Sequence, residues 1–266
     1  MNVWEVALRR PDNELELGRI AFLIAQGEYP DLDVDVATAE LDQFAAEVAA
    51  PSLAALDGWM FETRRFIGNA EHYYDPRNSY LCDVIERRTG IPISLSLLYI
   101  EVGRRAGLDL APVSFPGHLL VRHSGLEGEM FVDVFNGGLR QTRDVLHERL
   151  VRMTGGKLPD GLDLDRMFAP CGQREVVARM LRNLKQIYAK SKDVPRCLRV
   201  CDQLLHVEPG TAGHYRDRGY LYAQVGHREA ALADYSRYLK MAPGASDGAA
   251  IRAWIVDYGS QSQRLN

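Results

Sequence analysis

Two side chains in the stretch from Gly117 to Gly138 have the types and spacing of a proton-transfer pair. Leu110 to Phe115, Leu119 to His123 and Met130 to Phe135 are short β-prone runs separated by Pro, Gly and charged residues, which is the pattern of strands and turns. With a four-residue loop of Ser124, Gly125, Leu126 and Glu127, His123 falls opposite Gly128, Arg122 opposite Glu129, Leu120 opposite Phe131 and His118 opposite Asp133. The opposite charges of Arg122 and Glu129 support that register. Side chains alternate between the faces of a sheet, so His118, Leu120, Arg122, Glu129, Phe131 and Asp133 share one side, and Leu119, Val121, Met130 and Val132 form an apolar other side. An imidazole facing a carboxylate is what a His general base needs: the carboxylate fixes the tautomer through one ring nitrogen and leaves the other free. The same pair also serves packing alone, because a buried imidazole is held in one tautomer by any partner that satisfies it.

A base needs a nucleophile, and the element that would position one is the helix before these strands. Pro92 suits a first helical turn, where its missing N–H costs nothing, and Ile93 to Ala106 runs on until Gly107 supplies a stop. Apolar residues at Ile93, Leu95, Leu97, Leu98, Ile100 and Val102 cover more than one face, so this helix is expected to be wrapped by other elements.

Taken together, NSYLCDVIERRTGIPISLSLLYIEVGRRAGL, FPGHLLVRH and VDVFNGG resemble a bacterial transglutaminase-like family with C-terminal tetratricopeptide repeats, the sirB type, once named for an effect on invasion-gene regulation. The resemblance runs from about Tyr73 to Pro243. It implies an α+β fold: a helical N-terminal part and a transglutaminase-like (papain-like) core with a small antiparallel sheet, followed by an α-helical tetratricopeptide hairpin array. His118 and Asp133 fall on the family's His and Asp. The family's Cys has no counterpart: counting back from the Arg104 to Gly107 turn places it at about Pro92, or at Ser94 if the alignment slips by two. A helix N-terminus stabilises a thiolate there, whereas a serine hydroxyl would need His118 to take its proton directly. Cys82 lies outside the nucleophile position. Tyr74, Asn78, Gly117 and Asn136 are the residues expected to line the cleft. The bland alternative has the tyrosines packing on neighbouring helices, with Asn78 or Ser79 capping a helix that runs to about Arg88.

Three helices are expected ahead of this region: around Leu15 to Ile24, from about Thr38 to Ala50, and from Ser52 to Ile67. Past Asn136-Gly137-Gly138 a short helix from Thr142 to Met153 precedes the turn-rich TGGKLPDGLD. The boundary is placed there, giving 1–158 as the transglutaminase-like domain with its N-terminal helices and 159–266 as the repeat region. Four helices follow Arg174, and Pro209 and Pro243 are 34 residues apart, as are Tyr188 and Tyr222, which is the tetratricopeptide period. Gly219, Tyr222, Gly226, Ala231, Tyr235 and Pro243 fit the second copy, while Lys185 and Lys192 stand where the first should carry small residues. Asp247 to Tyr258 is expected to cap the array. Two repeats are fewer than usually stand alone, so the array is expected to pack on the first domain.

The chain has 266 residues, 46% hydrophobic and 26% charged, with a net charge of −4. That balance argues against a general nucleic-acid or anionic-membrane binder, which wants clustered positive charge. Charges interrupt the first residues where a secretory signal needs an apolar run, so the cytoplasm is expected. Cysteines 82, 171, 197 and 201 form neither a disulfide framework nor CxxC metal spacing; Cys197 and Cys201, four apart, read as core packing. No metal or cofactor is expected. Three functions remain open at this stage. One is a pseudoenzyme whose old cleft and repeat surface bind a protein partner or ligand in a regulatory role. The second is a hydrolase or acyl transferase using Ser94, His118 and Asp133. In the third, the repeats alone carry the function.

Overall fold

In the computed structural model, which describes residues 3–125, 128–158 and 161–264, the N-terminal part is built from amphipathic helices packed around a fully buried one. Helices α1 (Val3–Ala7), α2 (Leu17–Gln26), α3 (Val34–Glu47) and α4 (Leu53–Asp57) come first. α3 begins four residues earlier than periodicity indicates, because Asp33 accepts hydrogen bonds from the N–H groups of Asp35 and Val36 and starts the helix there. The helix expected from Ser52 to Ile67 is capped by Ser52 as its sequence implies, but it widens at Gly58–Thr63 and stops at Arg64, before Arg65 at φ 57°. Next come β1 (Ile67–Gly68), α5 (Leu81–Arg87), β2 (Thr89–Gly90) and α6 (Pro92–Arg105), with β1 and β2 paired in parallel on either side of α5.

α6 is buried on all sides from Pro92 to Gly103. Gly107, at φ 93°, ends it in the left-handed region, and Leu108 donates to the Gly103 carbonyl at 2.9 Å. Gly103 lets the chain close up, since a Cβ there would stand 2.4 Å from Leu110 and 2.7 Å from Leu56.

Strands β3 (Leu110–Phe115), β4 (His118–Gly125), β5 (Gly128–Asp133) and β6 (Leu139–Gln141) form an antiparallel meander in the order β3-β4-β5-β6. The β4–β5 register differs from the expected one by two residues: Arg122 stands opposite Phe131, His123 opposite Met130 and Gly125 opposite Gly128. Leu126 and Glu127 of the expected loop lie outside the described residues. Arg122 and Glu129 still meet, at 3.4 Å, as diagonal neighbours reached by long side chains. A slip of two preserves the faces. Leu120 and Phe131 therefore pack with Val113 and Phe115 under Leu146 and Leu150 of α7 (Arg143–Met153) and Phe168 of α8 (Leu164–Phe168), while α6 packs against β3 and β4. β3 is an outer strand, and its Pro112 carbonyl accepts from the N–H of Cys171 at 2.8 Å.

The chain divides into two compact units, Met1–Met180 and Leu181–Asn266. The expected boundary at 158/159 falls beside Pro159 and Asp160, which lie outside the described residues. The remaining helices are α9 (Gln173–Ser191), α10 (Val194–Val207), α11 (Ala212–Gln224), α12 (Arg228–Met241) and α13 (Gly248–Arg264). In the second unit α11 and α12 cross closely at Gly219, where an added Cβ would lie 2.9 Å from the Tyr235 ring. Arg218 grips Asp234 through two bonds of 2.7 Å and Asp202 through a third of 2.7 Å. Lys185, in a position where small residues are the rule, bonds Asp217 at 2.7 Å. No helix among the described residues is long and apolar enough to cross a membrane.

Candidate functional site

The Pro116-Gly117 turn joins β3 to β4, with Phe115 opposite His118 and Gly117 at φ 75°, the glycine position of a type II turn. His118 thus opens β4, and its Nδ1 stands 3.6 Å from Asp133 Oδ1, slightly beyond hydrogen-bond length. Asp133 ends β5 and is 1% exposed, against 19% for the imidazole. It has other work. One oxygen accepts the N–H of Asn136 at 3.3 Å, and the other accepts the Asn136 amide at 2.9 Å and the Arg149 guanidinium at 3.3 Å. Burial pushes this carboxyl up, but His118, Asn136 and Arg149 outweigh it and hold Asp133 below the ordinary carboxylate range.

Around the imidazole lies a row of rings: His118 to Phe135 at 6.1 Å, Phe135 to Tyr73 at 6.4 Å and Tyr73 to Tyr74 at 5.4 Å. Gly68 allows Phe135 to approach, since a Cβ there would be 2.7 Å from its ring. Burial raises the Tyr73 phenol, a shift that Arg179 opposes. Tyr74 is 52% exposed at the outer end of the row.

Asn78 has a different place. It is fully buried; its amide donates to the carbonyls of His72 at 2.8 Å and Tyr73 at 3.3 Å, and its side-chain oxygen accepts from Asn69 at 3.2 Å. Neither it nor Ser79 caps α5, whose N-cap position is Tyr80; Asp75 instead caps a single turn at Pro76–Asn78. Asn78 ties the loop bearing Tyr73 and Tyr74 into shape and presents no free polar atom outward.

Ser94 is equally committed. Its hydroxyl is fully buried, donates to the Asn78 carbonyl at 2.6 Å and accepts the Ile91 N–H at 3.1 Å. It closes the first turn of α6 and fastens that turn to the Asn78 loop. Ser96, one turn into α6, donates to the Leu119 carbonyl at 2.8 Å. The structure brings His118, Asp133 and Asn136 together with Gly117 beside them, and gives Ser94 partners other than the imidazole. Burial, aided by the charge of Asp83, pushes the Cys82 thiol up to about 11, and burial pushes Cys171 up to about 12, which disfavours the thiolate form of both.

Arg149 is the site residue that spacing does not reveal. It lies 5.2 Å over the Phe115 ring as well as beside Asp133. It stands sixteen positions after that carboxylate, beyond β6 and on α7, and no local pattern ties the two.

A second concavity belongs to the repeat unit. This groove of about 760 Å³ is lined by Tyr188, Tyr220, Leu221, Tyr235 and Ile251 among charged Lys185, Arg216, Asp217 and Asp247. Arg216 is held by Asp217 at 2.8 Å and Asp247 at 3.2 Å.

Comparison with known proteins agrees with both halves. The model of the transglutaminase-like superfamily matches residues 33–182, and that of the tetratricopeptide repeat matches residues 184–255. The chain belongs to the transglutaminase-like superfamily and, within it, to the SirB type that carries C-terminal tetratricopeptide repeats. It is 39% identical over 268 residues to a UPF0162 protein of Xylella fastidiosa, covering 97% of this chain and 95% of that one. It is 32% identical to protein SirB1 of Salmonella typhimurium over 177 residues, 66% of this chain and 64% of SirB1. A shorter match, 38% identical over 104 residues, joins 36% of this chain to 17% of human F-box only protein 21.

Proposed function

We infer that this is a non-catalytic member of its superfamily: a cytoplasmic regulatory protein that binds a protein partner through the repeat groove and uses the ring-lined face beside His118 as a further contact. One observation carries the reading. Ser94, the hydroxyl nearest the family's nucleophile position, donates to a backbone carbonyl at 2.6 Å inside the core. An acyl-transfer serine needs its proton aimed at the base and its oxygen open to substrate. The His–Asp pair then orders the hairpin end, and Tyr74 and His118 offer an aromatic and polar surface of the kind enriched at interfaces. Tetratricopeptide repeats mediate protein–protein interaction, and their concave faces are the surfaces that do so.

The test has two arms on the full chain. Treatment with a fluorophosphonate probe and peptide mapping should leave Ser94 unlabelled. Quantitative pull-down comparing wild type with Tyr220→Ala and Tyr74→Ala should show the same partner depleted by both changes. Stoichiometric labelling of Ser94 that disappears in His118→Ala would overturn the reading in favour of a Ser94–His118–Asp133 hydrolase or acyl transferase. A partner retained undiminished by the Tyr220 change would remove the groove from it.

A further inference from the structure

Cys197 and Cys201 lie one turn apart on α10, both buried, and both line the repeat groove of about 760 Å³. Neither is used by the function above. The Cys201 side chain one turn away draws the Cys197 thiol below its usual value, against the opposing effect of burial and with help from the Lys185 ammonium. The Cys197 side chain, with burial, pushes Cys201 up. Cys197 also donates to the Lys185 carbonyl at 3.8 Å. Two thiols thus converge at the wall of an open groove beside a cation, with Asp217 and Asp193 the nearby anions.

Helical spacing decides what such a pair can hold. Cβ atoms four residues apart on a helix are about 5–6 Å from each other, whereas a disulfide requires about 3.5–4.5 Å, so a direct S–S bond would force the helix out of shape. An ion between the sulfurs relieves that mismatch, because two metal–sulfur bonds in place of one S–S bond let the Cβ atoms stand farther apart than a disulfide allows. Among the described residues no group of three or more His, Cys, Asp or Glu is placed to hold a metal, and zinc wants four donors in a tetrahedron. A soft ion content with two thiolates fits.

We propose that Cys197 and Cys201 form a two-coordinate site for a thiophilic monovalent cation of the Cu(I) class, opening on the repeat groove. Binding displaces both thiol protons to solvent: two neutral thiols and one Cu(I) become a bis-thiolate complex of charge −1 and two H⁺, with no change of oxidation state. Lys185 stands beside the complex and offsets its negative charge, sharing its ammonium with Asp217 at 2.7 Å.

The experiment is anaerobic competition of the full chain, in its reduced state, against a chromophoric Cu(I) chelator. The expected result is one equivalent of Cu(I) withdrawn by wild type, Cys82→Ala and Cys171→Ala, and at least a tenfold loss of affinity in Cys197→Ser and in Cys201→Ser. X-ray absorption of the loaded wild type, which requires no variant to fold, should show two sulfur neighbours and no nitrogen or oxygen. Failure to withdraw copper, unchanged affinity in the Cys197 variant, a shell with nitrogen or more than two sulfurs, or equal retention of Zn(II) would each overturn the proposal.

Discussion

If Ser94 is scaffold and not catalyst, replacing it should be costly to the fold. Ser94→Ala removes a hydroxyl that serves two buried backbone groups, the Ile91 N–H at 3.1 Å and the Asn78 carbonyl at 2.6 Å. Each polar group left without a partner in the interior costs about 1–3 kcal/mol, so with two of them the variant should lose about 2–6 kcal/mol. With a urea slope of about 3 kcal/mol per molar, that moves the unfolding midpoint down by about 1–2 M. Ser52→Ala is the control: its hydroxyl caps α4 at an exposed position, accepting from Ala55 at 3.2 Å, and its loss should cost about 1 kcal/mol. Trp59 is buried against Phe44 and Phe66 in the same unit and reports the transition by fluorescence. A catalytic serine would behave in the opposite way, since groups kept for chemistry are usually neutral or stabilising to remove. A Ser94→Ala midpoint within about 0.5 kcal/mol of wild type would refute the reasoning and return the hydroxyl to the pool of candidate nucleophiles.

The Asp133 carboxyl titrates lower when folded than when unfolded; its contribution is complete above the unfolded value of about 3.9 and is lost as pH falls through the folded one. Asp133→Asn should therefore be less stable than wild type at neutral pH and show a flatter acid limb in a stability–pH profile. Arg218→Met strands Asp234, which is 4% exposed, and should cost about 3–5 kcal/mol; Arg218→Met with Asp234→Asn should recover most of that in a double-mutant cycle. Gly107→Ala places a Cβ at φ 93° and should lower stability by about 1–2 kcal/mol, measured by thermal unfolding.

How much of this is legible in the chain varies with the range of the interaction. α6 is written locally: Pro92 at one end, Gly107 at the other and apolar residues on every side between them. The sheet faces are legible for a different reason, since a two-residue slip leaves every side chain on its own face. Its register is not, because Arg122 is long enough to reach Glu129 diagonally and imitates a direct pair. β6 and the β1–β2 pair, three and two residues long, are too short to show any period. Arg149 beside Asp133 and Ser94 beneath the Asn78 carbonyl are products of tertiary approach. The His118–Asp133 contact survives in the structure, but the environment that decides its use is supplied by distant residues.

Pro112 has a consequence for solubility. Its carbonyl points away from β4 to the Cys171 N–H, and within a strand the N–H of the same residue points the same way. The free side of β3 therefore lacks a donor at its middle and has the neighbouring acceptor occupied. At the opposite margin β6 runs only three residues before Thr142 starts α7. A sheet with one border plugged and the other cut short gives a second molecule little to zip onto. Crowded or concentrated preparations of this protein should accordingly resist strand-by-strand polymerisation, a protection that Pro112→Val would weaken by restoring the missing hydrogen at the rim.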